Sequence, residues 1–191
     1  MDSASAYEQY AQEFLRCRDP SIGSEVVRQW VRALARGAEV IEIACGGGHP
    51  ITKELVAAGV KLWAIDSSPT LVAEFKSRFA EIPIRCEKVQ DSDFFTRTYD
   101  AAIAVGLLFL LPESKQAAII ARVANVLVPG GRFLFTAPKE VGTWRDMTTG
   151  IESSSLGQKR YKEILEKSGL RILATYEDEG KNNYYDSERL G

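Results

Sequence analysis

Two amphipathic helical patterns occupy the part of the chain before Gly37. Residues 5–18 predict one helix, and a break at residues 19–23 separates it from a second helix that Ser24 would cap. The apolar residues at helical spacing are Tyr7, Tyr10, Ala11 and Phe14 in the first helix, and Val26, Val27, Trp30, Val31 and Leu34 in the second. After Gly37 the period of the apolar pattern changes.

From residue 39 onward, short β-branched apolar runs alternate with helical patterns. The predicted strands cover residues 39–45, 60–65, 82–86, 99–105 and 132–137. Pro50 opens a helix that Gly59 closes, Ser67-Ser68-Pro69 caps the next, and residues 113–127 form a third. This alternation of strands and helices predicts an α/β fold with a doubly wound, Rossmann-like parallel sheet.

The end of the chain departs from that alternation. A helix over residues 156–167 leads into a strand over 170–176, a polar turn over 177–183 and a last strand around Tyr184. A turn this short joins neighbouring antiparallel strands, so the mostly parallel sheet should end in an antiparallel β-hairpin strand.

The pattern predicts a single domain over residues 1–191, because this length suits one well-buried core. Its Rossmann-like core would cover residues 38–187, and residues 1–23 would form an N-terminal lid helix and hinge. The sheet can form without this segment, and its aromatic stripe would suit the wall of a ligand site. The same stripe would equally suit a helix face packed into the core.

Composition and charge are those of an ordinary globular protein. Basic side chains number 24 and acidic ones 26, with no basic block, so a nucleic-acid partner is not expected. The longest apolar run, residues 101–111, is shorter than a membrane span, and the N-terminus lacks the blocks of a signal peptide. Three scattered cysteines and one histidine favour neither a disulfide framework nor a metal site. We therefore expect a cytoplasmic protein.

Two polar features follow neighbouring predicted strands. Gly46-Gly47-Gly48 comes directly after the first strand, where glycines allow close approach of backbone to a ligand. Asp66 ends the second strand, twenty residues after Gly46, where a carboxylate commonly accepts hydrogen bonds from the hydroxyls of an adenosine ribose. Asp66 could instead cap the following helix, although Ser67 and Ser68 already supply caps. An adenosine-containing ligand is therefore expected.

A nicotinamide dinucleotide fits this loop poorly. The position that needs a small residue in the dinucleotide motif is Ile51, and Pro50 removes one amide that would hold a pyrophosphate. Glu42 lies within the first strand and points toward the loop, where it would repel a pyrophosphate and attract a cationic ligand. An NAD-dependent oxidoreductase remains an alternative. A test of which adenosine-containing ligand binds would distinguish it.

In this order and spacing, the motifs resemble those of the class I S-adenosylmethionine-dependent methyltransferases. The resemblance covers residues 38–187 and rests on Glu42-x-x-x-Gly46-x-Gly48, Asp66, the Tyr99-Asp100 strand, and Leu127-Val-Pro-Gly-Gly131 followed by the strand at 132–137. It implies the Rossmann-like fold, S-adenosylmethionine as cofactor, and methyl transfer by in-line displacement.

The resemblance also implies cofactor-binding residues. Glu42 would bind the amino end of the methionine portion, Asp66 the ribose, and Ser67 would lie beside the adenine. Residues 87–89 fall where the family contacts the adenine edge, although the family's Asp is absent there. The full implied set is Glu42, Ala44, Cys45, Gly46, Gly48, Asp66, Ser67, Glu87, Lys88, Val89, Val105 and Gly106.

The methyl acceptor is expected to be a small molecule. The loop after Val105 lacks the Asn-Pro-Pro-Tyr type of sequence with which the family methylates bases and protein amides. A protein or RNA methyltransferase and a noncatalytic adenosyl-ligand-binding module remain alternatives. Candidate catalytic residues are His49, as a general base or simply a helix cap, and Tyr7 and Tyr10 of the N-terminal stripe. Residues 144–146 would form either a substrate-binding insertion or a surface loop.

Overall fold

Strands and helices alternate along most of the fold. The computed structural model describes residues 2–191. Its helices are α1 (Ser3–Gln9), α2 (Ala11–Cys17), α3 (Ser24–Val31), α4 (Ile51–Ala57), α5 (Pro69–Arg78), α6 (Glu113–Val126) and α7 (Gly157–Lys167). Its strands are β1 (Glu39–Ile43), β2 (Lys61–Asp66), β3 (Ile84–Cys86), β4 (Tyr99–Ala104), β5 (Leu127–Thr136), β6 (Val141–Arg145), β7 (Glu152–Leu156), β8 (Leu170–Glu177) and β9 (Asn183–Arg189).

Seven of these strands form one sheet, in the order β3-β2-β1-β4-β5-β9-β8. The strands β1 to β5 pair in parallel, whereas β9 lies between β5 and β8 and is antiparallel to both. The predicted fold class, a mostly parallel Rossmann-like sheet with a terminal antiparallel hairpin, is confirmed. Strand numbers fall from β3 to β1 across one half of the sheet and rise again from β4 in the other half. Such sheets bind ligands at the switch point, which here lies between β1 and β4.

Helices cover both faces of the sheet, and the central strands are therefore buried on both sides. In β4, Ala101 and Ile103 join a core with α3 and α4, while Ala102 and Ala104 join a second core with α6 and α7. Alternate residues of a strand point to opposite faces, so the two cores lie on opposite sides of the sheet. This double coverage explains the continuous apolar runs in the sequence.

Several element boundaries differ from those predicted. The helix predicted over residues 5–18 is broken at Tyr10, whose φ of −104° and ψ of 12° end α1. Gly23, not Ser24, is the N-cap of α3, because its φ of 85° suits glycine. The strand predicted over residues 39–45 ends at Ile43, since Ala44 has a φ of 58°. Pattern alone does not contain these local backbone turns.

An unpredicted hairpin follows β5. Strands β6 and β7 pair as a separate two-stranded sheet, so residues 144–146 lie in and after a strand and not in an irregular loop. The buried amide of Gln116 holds the hairpin by donating to the carbonyl oxygens of Leu111 and Ser154, over 2.8 and 3.1 Å. The polar sequence of β7 hid this strand, because it lacks the apolar alternation of a half-buried strand.

No helix within residues 2–191 has the length and apolar character needed to span a membrane. Over the same residues, no cluster of His, Cys, Asp and Glu side chains is arranged to hold a metal ion. The three cysteines are free thiols.

Candidate active site

A cavity of about 620 Å³ lies at the carboxyl ends of the parallel strands. The ends of β1, β2, β4 and β5 contribute to it, together with the N-terminal helices, the β6–β7 hairpin and the turn before β9. The sequence-predicted residues that line it are Glu42, Ala44, Cys45, Gly46, Asp66, Ser67, Glu87, Lys88, Val89, Val105 and Gly106, with Tyr7 and His49. Residues separated by up to about a hundred positions are thus brought to one site.

The loop after β1 is held tightly against β2. The amides of Ala44 and Cys45 both donate to the carbonyl oxygen of Ile65, over 2.8 and 3.2 Å. The amide of Gly46 donates to Asp66 Oδ2 over 2.8 Å. Gly46 has a φ of 58°, in the left-handed region that glycine adopts without strain. The loop is therefore preorganised beside the cavity.

Asp66 has both a structural and a cavity-facing role. Its Oδ1 accepts from the amide of Ser68 over 2.9 Å, while Ser68 Oγ caps α5 by accepting from the amide of Leu71. Asp66 is buried, and burial raises the pKa of its carboxyl, whereas the amides of Ser68 and Gly46 lower it. Each carboxylate oxygen can accept more than one hydrogen bond, so Asp66 retains acceptor capacity toward the cavity.

Glu42 brings a second buried carboxyl to the cavity wall. Only 3% of the residue is exposed, and Oε2 accepts from Thr52 Oγ1 over 2.6 Å. Burial raises the pKa of Glu42 to about 8, and the neighbouring Asp66 carboxylate contributes in the same direction. A cationic group entering the cavity would favour the charged form of this carboxyl.

Gly48 does not line the cavity, which corrects the expectation that it lies against a ligand. A Cβ at this position would meet the Phe79 ring at 2.5 Å and the Phe75 ring at 3.2 Å. Its φ is 84°. Gly48 is therefore required for packing of the loop on α5, and Gly46 is the glycine that borders the cavity.

Residues 87–89 lie beside β2 after β3. The amide of Glu87 donates to the Asp66 carbonyl oxygen over 2.9 Å. Oε1 of Glu87 is buried without a hydrogen-bond partner. This oxygen lies 3.9 Å from the guanidinium nitrogen Nη1 of Arg85. Lys88 forms an ion pair with Asp2 of the N-terminal segment. The Glu87 carboxylate thus retains an unused acceptor in the wall of the cavity.

The N-terminal helices lie over the glycine loop. Glu8 of α1 accepts hydrogen bonds from Ser68 Oγ and from Thr70 Oγ1, the latter over 2.8 Å. Phe14 of α2 faces Gly46, where a Cβ would lie 3.3 Å from its ring. Tyr7 Oη donates to Asp146 Oδ2 over 3.3 Å, which joins α1 to the end of β6. These contacts bring the N-terminal segment and the hairpin together beside the cavity.

The three candidate catalytic residues occupy different places. Tyr7 lines the cavity, and burial followed by the charge of Asp146 raises the pKa of its phenol. Tyr10 lies at the break between α1 and α2, outside the cavity lining. His49 lines the cavity with its ring 6.2 Å from that of Phe79, and burial, Arg78 and Lys53 lower its pKa. A general-base role for His49 remains a prediction.

Part of the cavity wall was missed by sequence reasoning. Phe109, in a 3₁₀ turn after β4, contacts Trp144 of β6 with ring centroids 5.5 Å apart. Asn183, the first residue of β9, completes the wall beside the end of β5. In the sequence, only the position of Trp144 after the fifth parallel strand indicated a residue of the ligand site. No sequence pattern indicated that Asn183 would line the cavity.

Comparison with known proteins agrees with this geometry. A family model described as "Methyltransferase domain" matches residues 40–131, which run from β1 into β5. The resemblance to class I methyltransferases that the sequence motifs indicate is confirmed over this segment, and the matched domain is that of an enzyme. A comparison with curated protein sequences gave no match.

Solved structures share the fold of this chain at low sequence identity. The CcbJ methyltransferase from Streptomyces caelestis has a TM-score of 0.81 at 14% identity, with complete coverage of both chains. The 1,6-didemethyltoxoflavin-N1-methyltransferase from Burkholderia thailandensis, with bound 1,6-didemethyltoxoflavin and S-adenosylhomocysteine, has a TM-score of 0.77 at 17% identity, covering 98% of this chain and 89% of the other. Magnesium protoporphyrin IX methyltransferase from Synechocystis PCC 6803, with bound S-adenosylmethionine, has a TM-score of 0.71 at 18% identity, covering 97% and 80%.

Proposed function

We propose that this protein binds S-adenosylmethionine in the cavity and transfers its methyl group to a small-molecule acceptor. The observation that carries the proposal is the pair of buried carboxyls, Glu42 and Asp66, at the ends of neighbouring parallel strands in one cavity. Neither carboxyl forms an ion pair with a basic side chain within residues 2–191. Two such groups suit a ligand that brings an ammonium and a pair of hydroxyls.

The residues present fit the cofactor. Glu42 would hold its ammonium group, and Asp66 its ribose hydroxyls. Glu87 Oε1, which has no hydrogen-bond partner, would accept from the adenine amino group. The backbone of Val105 and Gly106 would lie against the methionine portion. A cavity of about 620 Å³ is within the roughly 300–1,000 Å³ typical of small-molecule sites.

When bound, the sulfonium of the cofactor supplies an already activated methyl group. The protein then has to align an acceptor with that group and exclude water, and such alignment contributes on the order of 7–11 kcal/mol. Tyr7, Phe109 and Trp144 provide apolar walls that can orient an acceptor. The raised pKa of Tyr7 keeps its phenol protonated, so Tyr7 positions groups and does not act as a base.

A small-molecule acceptor is favoured by the walls of the site. The N-terminal helices, the hairpin and the turn before β9 all border the same cavity, which suits a compact ligand. The structurally similar enzymes named above are a methyltransferase of 1,6-didemethyltoxoflavin and a methyltransferase of magnesium protoporphyrin IX. The balanced charge and absence of a basic block in the sequence disfavour RNA. Free cysteines support a cytoplasmic location.

The N-terminal segment is proposed to serve as a lid. Its contacts with the sheet domain include the side-chain hydrogen bonds of Tyr7 with Asp146 and of Glu8 with Thr70, and none of its residues belongs to the two main cores. Residues 18–23 connect it to α3 and include Gly23, whose left-handed backbone can absorb a change of direction. Opening there would admit ligands, and closure would exclude water.

Replacing Asp66 with alanine should weaken binding of S-adenosylhomocysteine by about tenfold or more. A charge-assisted hydrogen bond contributes roughly 1.5–3 kcal/mol, and the loss of the Gly46 contact would also loosen the glycine loop. Isothermal titration calorimetry measures the affinity, and circular dichroism checks the fold.

Asp100→Ala is the matched control. Asp100 also accepts a hydrogen bond from a backbone amide, that of Glu39 over 2.8 Å, but at the opposite end of the sheet. This variant should keep the affinity of the wild-type protein. Equal affinities for all three proteins would mean that Asp66 only supports the loop, and the cofactor placement would lose its main support.

A further inference from the structure

Asn183 places a buried, unused hydrogen-bond acceptor in the cavity wall. The residue is 8% exposed, and its Nδ2 donates to the carbonyl oxygen of Ala137 over 3.1 Å. The other end of the amide, Oδ1, is buried without a hydrogen-bond partner. Buried polar atoms are nearly always paired, so an unpaired one in a ligand cavity indicates where a ligand donor belongs.

The orientation of this amide is fixed by its surroundings. The backbone oxygen of Asn183 accepts from the amide of Ala137 over 3.1 Å, and Nδ2 donates to the carbonyl oxygen of the same residue, which directly follows β5. The preceding turn is held by Asp178, whose Oδ1 accepts from the amides of Gly180 and Asn182, both over 2.9 Å. The two hydrogen bonds to Ala137 hold the side-chain amide in one orientation. Oδ1 is therefore fixed in place with no hydrogen-bond partner.

Asn183 lies away from the proposed cofactor residues. In the strand order, β9 is separated from β2 by β1, β4 and β5, which is four strand spacings of roughly 4.8 Å, or about 19 Å. The cofactor residues Glu42, Asp66 and Glu87 lie on β1, on β2 and after β3. The group that meets Asn183 therefore belongs to the acceptor and not to the adenosine portion of the cofactor.

The surroundings of Asn183 narrow the class of acceptor. Aromatic side chains of three separate elements share the cavity with it, namely Tyr7 of α1, Phe109 of the 3₁₀ turn and Trp144 of β6. Aromatic side chains combined with a few polar groups are typical of sites that orient planar ligands.

We infer that Asn183 Oδ1 accepts a hydrogen bond from the methyl acceptor, which is a planar aromatic or heteroaromatic molecule carrying an N–H or O–H donor. The inference rests on the proposed function, because it takes the other end of the cavity to hold the cofactor. Asn183 is then a specificity-determining residue. A molecule of the same shape without the donor leaves Oδ1 desolvated and unpaired, and binds more weakly.

Matched probe pairs test this inference on protein saturated with S-adenosylhomocysteine. Benzimidazole and 1-methylbenzimidazole differ in one N–H group, and 6-hydroxyquinoline and 6-methoxyquinoline differ in one O–H group. Calorimetric titration should show that wild-type protein prefers the donor-bearing member of at least one pair by about tenfold. Asn183→Leu has a similar side-chain size and no acceptor, so this preference should fall to about twofold or less. Asn125→Leu, the same change on the exposed part of α6, should keep it.

The readouts separate failure of this inference from failure of the proposed function. The affinity for S-adenosylhomocysteine should be the same in all three proteins, which also reports that Asn183→Leu is folded. Normal S-adenosylhomocysteine binding with no preference in the wild-type protein, or with a preference that survives in Asn183→Leu, overturns the inference alone. Absence of S-adenosylhomocysteine binding to the wild-type protein overturns the proposed function, and the inference with it.

Discussion

Deletion of residues 1–18 is expected to lower methyl transfer by at least about a hundredfold, while the affinity for S-adenosylhomocysteine falls by less than about tenfold. The deletion removes Tyr7 and Phe14 from the cavity wall and opens the glycine loop to water. Small losses of alignment between reacting groups cost on the order of 10²-fold in rate. The proposed cofactor contacts come from β1, β2, β3 and β4, which the deletion leaves in place.

The fold should survive this deletion. The hydrophobic cores of the sheet are built from Val26 onward, and no residue of α1 or α2 contributes to them. Circular dichroism, cofactor titration and a methyl-transfer assay on the same truncated protein measure the three properties. The matched control is Arg16→Ala, because this side chain of α2 is 76% exposed and should be dispensable. A truncated protein that folds and retains full activity would rule out the lid.

Gly48→Val should destabilise the protein strongly, by about 3 kcal/mol or more. A side chain here would overlap the Phe79 ring, and the φ of 84° strains any β-branched residue. For a chain of this size the melting temperature should fall by roughly 6–12 °C. Differential scanning calorimetry measures this change.

Gly59→Val separates the two causes. Gly59 has a similar φ of 76°, but a Cβ there has no neighbour within 4 Å. This variant should show the backbone strain alone, on the order of 1–2 kcal/mol. If Gly48→Val were as stable as Gly59→Val and failed only in ligand binding, the assignment of Gly48 to loop packing would be wrong.

The parts of the site that the sequence predicts are those tied to strand ends. Glu42 and Asp66 both line the cavity, because parallel strands align their carboxyl ends at one edge of the sheet. The same logic placed Val105 and Gly106 after β4. For these residues, a short apolar run with one polar residue at its end is enough to predict a position at the edge of the sheet.

Other features depend on contacts that the local sequence does not encode. Gly46 and Gly48 are equivalent in the motif, yet one borders the cavity and the other packs on Phe79, which directly follows α5. Asn183 faces the site only because β9 inserts between β5 and β8. The hairpin of β6 and β7 depends on the buried amide of Gln116 more than on an apolar pattern. Each of these outcomes is decided by distant side chains.

Methyl transfer from labelled cofactor tests the central claim most directly. The purified protein is incubated with methyl-labelled S-adenosylmethionine and a cell extract, and the products are separated by size. The account predicts protein-dependent label in the small-molecule fraction. Label confined to protein or RNA, or no transfer to any fraction, would contradict it.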